Sequence, residues 1–119
     1  MATKIRVWDG WRAVHNGEDV SKFVWLTFEG EVLGSLRCVV DGKPTDRSFY
    51  RMNDGRIVVA EHRFGDWNEG DYDIGVVEVY NTLERAAFYY RNDLVRIGAY
   101  SAPTYDLDGW LRRIEEEEE

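Results

Sequence analysis

The sequence predicts an α+β domain: a curved antiparallel β-sheet of meander type, with one or two short helices packed on one face and a C-terminal helix. Turn signals recur at short intervals through the first two thirds of the chain, at Asp9-Gly10, Asn16-Gly17, Glu29-Gly30, Asp41-Gly42, Asn53-Asp54-Gly55 and Glu69-Gly70. The runs between them are short and rich in β-branched and aromatic residues, as in strands joined by hairpins. The last third then changes to a helical period.

Strands are expected at Ile5–Trp8, Trp11–His15, Phe23–Phe28, Val32–Val40, Arg47–Met52, Arg56–Arg63, Tyr72–Tyr80 and Leu94–Tyr100. Trp8 and Trp11 bracket Asp9-Gly10 as a cross-strand aromatic pair would close a two-residue hairpin. The Arg56–Arg63 run places Ile57 and Val59 on one face and Val58 and Ala60 on the other, which marks a central strand covered on both sides. Leu83, Ala86, Ala87 and Tyr90 fall at i, i+3, i+4 and i+7, and Asn81 with Glu84 resembles a capping box, so a helix is predicted over Thr82–Arg91. Leu107, Trp110, Leu111 and Ile114 repeat the spacing, with Asp106 as N-cap. Glu115–Glu119 oppose the helix dipole and repel one another, so this helix should fray into them.

A length of 119 residues with 44% apolar composition suits one core. Residues 1–114 are expected to form a single domain and 115–119 a disordered acidic tail. The formal charge of −8 is concentrated at that end: Glu115–Glu119 are five of the 23 carboxylates, which leaves 18 against 15 bases, a net of about −3. The bases are scattered, with Arg112 and Arg113 the only adjacent pair, so no basic stripe tracks a phosphate backbone and nucleic-acid binding is disfavoured. The single Cys38 permits no intramolecular disulfide, and the sequence shows neither a signal peptide nor a membrane span. A cytoplasmic protein without membrane association is the expectation.

The common catalytic signatures, among them G-x-S-x-G, C-x-x-C, H-E-x-x-H and G-x-G-x-x-G, are absent from the sequence. Glu61 and His62 are adjacent on a strand and therefore point to opposite faces, which rules them out as a dyad with each other. A thiol and imidazole from Cys38 and His62 would meet only if their strands were neighbours. The run Phe64–Asp73 carries Asp66, Asn68, Glu69, Asp71 and Asp73, all hard oxygen ligands. Its glycine stands fifth from Asp66 and Val77 holds the twelfth place, so the EF-hand spacing fails. No metal, cofactor or catalytic residue is assigned.

Five tryptophans and seven tyrosines are many for this length, and such residues dominate the energetic centres of interfaces. Trp25, within an apolar run, and Trp110, on a helical stripe, are expected in the core. Trp67 has no periodic partner and lies mid-loop among acids. The predicted partner-binding set is therefore Asp66, Trp67, Asn68, Glu69, Asp71 and Asp73, facing a protein with a basic surface. The expected function is a small stoichiometric protein-binding module that inhibits or antagonises a larger partner. In size and composition alone the chain is similar to toxin-immunity proteins and to phage-encoded inhibitors of bacterial defence, anti-CRISPR proteins among them. The alternatives are a small-molecule binder or minor enzyme with a pocket on the sheet, lined by residues such as Tyr72, Tyr80, Tyr100, Arg56 and Arg63, and an accessory subunit of a complex.

Overall fold

The short β-branched runs pair into one curved antiparallel sheet, and the two helical stripes follow it. The computed structural model describes residues 3–15, 17–66, 72–101, 104 and 106–117. In chain order the elements are β1 (Thr3–Arg12), β2 (Val14–His15), β3 (Glu18–Asp19), β4 (Lys22–Val40), β5 (Lys43–Met52), β6 (Ile57–Arg63), β7 (Asp73–Tyr80), α1 (Leu83–Arg96) and α2 (Leu107–Glu117). The sheet closes into a barrel in the order β1-β4-β5-β6-β7, with β2 and β3 as a separate two-stranded hairpin. No helix among the described residues is long and apolar enough to cross a membrane.

Every neighbouring pair in this ring of five is antiparallel. Directions cannot alternate consistently around an odd ring, so one strand must bend until its halves act as two segments. β4 does so: residues 22–30 pair with β1, residues 30–40 pair with β5, and the register shifts between Val32 and Gly34 as a β-bulge does. Gly30 sits at the changeover, where a Cβ would lie 2.2 Å from the Arg51 carbonyl oxygen. Glu29-Gly30 is therefore a bend within one strand rather than the predicted turn, and the strands expected at 23–28 and 32–40 are one.

Asp9-Gly10 is corrected in the same way. β1 runs unbroken through it, and Gly10 pairs with both Phe23 of β4 and Gly75 of β7. A side chain there would meet the Lys22 carbonyl oxygen at 2.3 Å, so this glycine admits two flanking backbones instead of turning the chain. Asp41-Gly42, by contrast, is the predicted hairpin: both residues have positive φ (51° and 76°), as a type I′ turn requires.

β6 is central as predicted, with Ile57, Val58 and Val59 buried on both faces. On one face Phe49, Ile57 and Val59 pack with Ala86, Ala87 and Leu94 of α1. The strand expected at Leu94–Tyr100 does not form: Leu94–Arg96 end that helix, and residues 97–100 are the turn and loop that follow it. Leu94 continues the stripe of Ala87 and Tyr90 and is fully buried, and Gly98 (φ 77°) follows the Ile97 C-cap. Thr82, rather than Asn81, caps the start by accepting from the Arg85 N–H at 3.1 Å. The helix kinks at Tyr90, whose hydroxyl donates to Glu78 Oε1 at 2.7 Å.

α2 starts as expected, with Asp106 Oδ1 accepting the Gly109 N–H at 2.6 Å. It continues into the glutamates as far as Glu117, where Arg113 forms an i, i+4 pair. None of its residues is buried. The radius of gyration of 18.3 Å exceeds the roughly 13–14 Å of a compact chain of this length.

Candidate functional site

Alternation along β1 and β4 brings Arg6, Trp8 and Arg12 together with Phe23, Trp25 and Thr27, since Arg6 stands opposite Thr27 and Trp8 opposite Trp25. The Gly10–Gly75 cross-strand pair makes room beside them. The Trp8 indole lies over Gly75, where a Cβ would be only 2.7 Å from the ring. His62 is opposite Gly75 on β6 and so reaches the same indole.

The result is an unbroken ladder of five rings. Centroids are 5.5 Å apart for Trp25–Phe23, 5.6 Å for Phe23–Trp8, 5.2 Å for Trp8–His62 and 4.0 Å for His62–Phe64. The first three contacts are edge-to-face and the last is stacked. Three guanidinium groups border it: Arg6 lies 3.8 Å from the Trp25 ring, Arg12 5.6 Å from Phe23, and Arg37 5.4 Å from Phe64. Arg37 is matched by a bidentate pair with Asp46, which holds that carboxyl below its ordinary range. Arg6 forms no ion pair among the described residues.

Trp25 is 46% exposed, and its neighbours Val24 and Leu26, which face the other way, are 57% and 40% exposed. The expectation that Trp25 belongs to the core is therefore wrong, and so is that for Trp110, which is 48% exposed on α2. An apolar run is buried only as far as something packs on it; Val24, Trp25 and Leu26 of β4 and Leu107, Trp110 and Leu111 of α2 each stay at least 40% exposed.

His62 is oriented by Asp73. Its Nε2–H donates to Asp73 Oδ2 at 3.1 Å, while Asp73 Oδ1 accepts the Gly65 N–H at 2.9 Å. That places one predicted site residue at the end of the ladder. Asp66 is exposed on the same connection, and Tyr72 packs on Trp11 at 5.7 Å. Trp67, Asn68, Glu69 and Asp71 lie outside the described residues. A small cavity of about 250 Å³ opens beside the ladder between Arg6, Trp8, Asp46, Ser48, Tyr50 and His62. That volume falls below the ~300–1,000 Å³ of pockets for drug-sized ligands and suits one inserted side chain.

Glu61 and His62 point to opposite faces, as predicted. Cys38 and His62 do not meet: β5 separates their strands, and Cys38 is opposite Thr45 whereas His62 is opposite Asp46. On the α1 side the buried Glu61 accepts from Arg47 Nε at 2.7 Å and from Arg63 at 3.0 Å, and Arg47 also pairs with Asp93 of α1. Burial opposes the charge of Arg47, but its bonds to Asp93 and Glu61 outweigh that and raise its pKa. Nearby, Glu78 accepts from both Tyr80 and Tyr90; burial first and this bond second raise both phenols, Tyr80 to about 12. A recess of about 430 Å³ lies beside the helix kink, lined by Arg47 and residues 88–93.

The tyrosines and arginines proposed as pocket-lining do not converge. Tyr80 and Tyr100 pack on the core, Tyr72 sits on Trp11, and Arg56 and Arg63 are paired with Asp54 and Glu61. Among the described residues no three His, Cys, Asp or Glu side chains converge as metal ligands do. Sequence reasoning missed the ladder, although Arg6, Trp8, Gly10 and Arg12 at one strand spacing and Phe23 with Trp25 at the same spacing carry its signal. No protein-family model, no curated protein and no solved structure matches this chain.

Proposed function

We propose that the chain is a small protein-binding module that acts stoichiometrically, as an inhibitor or antagonist, by covering the surface of a larger partner. The carrying observation is the aromatic ladder with Trp25 at its exposed end and arginines along its edge. Trp and Arg are the side chains most enriched at interface hot spots, and contiguous exposed apolar surface marks contact sites. The β6–β7 connection leaves at Phe64–Asp66 and returns at Tyr72–Asp73; Trp67, Asn68, Glu69 and Asp71, which lie outside the described residues, stay in the proposed contact on the ground of their sequence alone. The carboxylates of this connection steer toward a basic surface at the rim, while Arg6 and Arg12 favour acidic groups over the rings.

The test is the affinity of the purified complex with a partner captured from cells that make this chain. Trp25→Ala should weaken binding by ~2 kcal/mol, about thirtyfold, while Phe88→Ala on α1 leaves it unchanged. Equal affinity of wild type and Trp25→Ala would remove the ladder from the interface. The small-molecule reading rests on the recess beside the α1 kink, whose volume is in the usual range. It requires a retained metabolite released by substitutions at Arg47 or Asn92.

A further inference from the structure

The bend that closes the barrel leaves one long strand edge without a neighbour. Gly30 pairs with Thr3 of β1 and with Met52 of β5, so those two strands lie on opposite edges of β4. Beyond Gly30 the edge that faced β1 has no strand beside it among the described residues, and β4 runs on to Val40 with β5 on its other side alone. Val40 and Lys43 flank the two-residue Asp41-Gly42 turn, and such a pair exchanges both of its hydrogen bonds. Alternation then turns the N–H and C=O of Ser35, Arg37 and Val39 away from β5. Pro44, opposite Val39, keeps the same phase: its carbonyl turns away from β4 and accepts the Phe64 N–H at 2.9 Å. No backbone bond reaches the outward groups of Ser35, Arg37 and Val39 from a described residue, and all three residues are exposed, Val39 at 71%. Strand edges are usually guarded by lysine, proline or an inward charge. Ser35–Val40 carry a single charge, Arg37, and Asp46 neutralises it through a bidentate pair.

We infer that two copies of this chain pair antiparallel through the Ser35–Val40 edge of β4, with Cys38 at the two-fold axis. Outward residues must meet outward residues, which puts the axis on one of residues 36–39. An axis at Arg37 sets two guanidinium groups directly opposite each other. One at Leu36 carries Val40 onto the bulge between Val32 and Gly34, and one at Val39 brings Arg37 against the turn residue Asp41 (φ 51°). With the axis at Cys38, Arg37 exchanges hydrogen bonds with Val39 of the second copy, and symmetry repeats the pair. Leu36 then meets Val40, so the half-buried row Leu36, Cys38 and Val40 is apolar and self-complementary. Each copy uses the same edge, and the contact closes at a dimer. The aromatic rings take no part, so the inference does not rest on the proposed function.

Sedimentation of the full chain and crosslinking of Cys38 test it. At about 100 μM the wild type should be a dimer. Val39→Pro removes an N–H that bonds to nothing within the chain, so the domain should keep its fold while the dimer Kd rises by roughly tenfold or more. Opposed residues of the non-hydrogen-bonded kind, as the two Cys38 would be, have Cα atoms about 4.5 Å apart, within disulfide reach. Oxidised glutathione should therefore link the copies: two thiols become one disulfide, and the glutathione disulfide becomes two thiols. In Cys38→Ser combined with Val40→Cys the dimer should persist in sedimentation without the link, because the moved thiol lies ~13 Å from its twin. A wild type that stays monomeric, as it would if the edge served a foreign strand instead, overturns the inference. So does a folded Val39→Pro that dimerises like the wild type, or equal crosslinking from positions 38 and 40. If Val39→Pro fails to fold, the two thiol positions decide the matter alone.

Discussion

Removing the Glu61 carboxylate should destabilise the fold more than any surface change. Its side chain is 4% exposed and sits between Arg47, 14% exposed, and Arg63, 28% exposed. Glu61→Ala strands two guanidinium groups in a partly dry layer under α1. Breaking a buried pair from one side costs about 3–5 kcal/mol. Arg47 keeps Asp93 and Arg63 is partly solvated, so the lower end applies, ~3 kcal/mol. At about 4 °C per kcal/mol for this size, the melting temperature should fall by ~12 °C. Urea unfolding of Glu61→Ala and of the double variant Arg47→Met with Glu61→Leu measures it. The double variant should recover much of the loss, because paired charges replaced by apolar groups leave nothing unsatisfied. A change below ~0.5 kcal/mol for Glu61→Ala would refute the reasoning.

Gly10→Ala should destabilise by at least ~2–3 kcal/mol in denaturant titration, since φ of 131° is strained for alanine and its Cβ strikes the β4 backbone. Gly42→Ala, with positive φ but open space around it, should cost only about 1 kcal/mol. Leu94→Ala should cost ~2–5 kcal/mol, as a fully buried helix residue does. Tyr80 and Tyr90 hold folded pKa values above the unfolded value near 10, so their contribution is complete below pH 10. It is lost as pH rises, for Tyr80 through about 12. Stability measured from pH 8 to 12 should decline above 10, and less steeply in Tyr80→Phe with Tyr90→Phe.

The parts of the fold legible in the sequence are those in which local chemistry suffices. Apolar residues on both faces of Ile57–Ala60 announced the central strand, and Asp41-Gly42 announced a tight turn. The same dipeptide grammar misled at Asp9-Gly10 and Glu29-Gly30. Gly42 has open space where a Cβ would be, whereas Gly10 and Gly30 have backbone within 2.3 Å; both needs select glycine, and only tertiary structure separates them. Leu94 was legible in principle, since it extends the α1 stripe and neither glycine nor proline interrupts Arg91–Asp93, although Asn92-Asp93 is a pair that also favours turns. The ladder was not, because it depends on His62 of β6 meeting Trp8 of β1 across strands 54 residues apart in the chain. Asp73 was singled out in the sequence for its charge, whereas in the fold its carboxylate orients His62 through a hydrogen bond of which the sequence carries no sign.

The central claim, that the ladder is the contact surface, is tested most directly by amide hydrogen exchange on the free chain and on its complex with the captured partner. Protection gained at residues 6–12, 22–27 and 62–66, with little change in α1, is the predicted result. Protection confined to α1 around residues 88–93, with β1 and the first half of β4 exchanging as in the free chain, would contradict it.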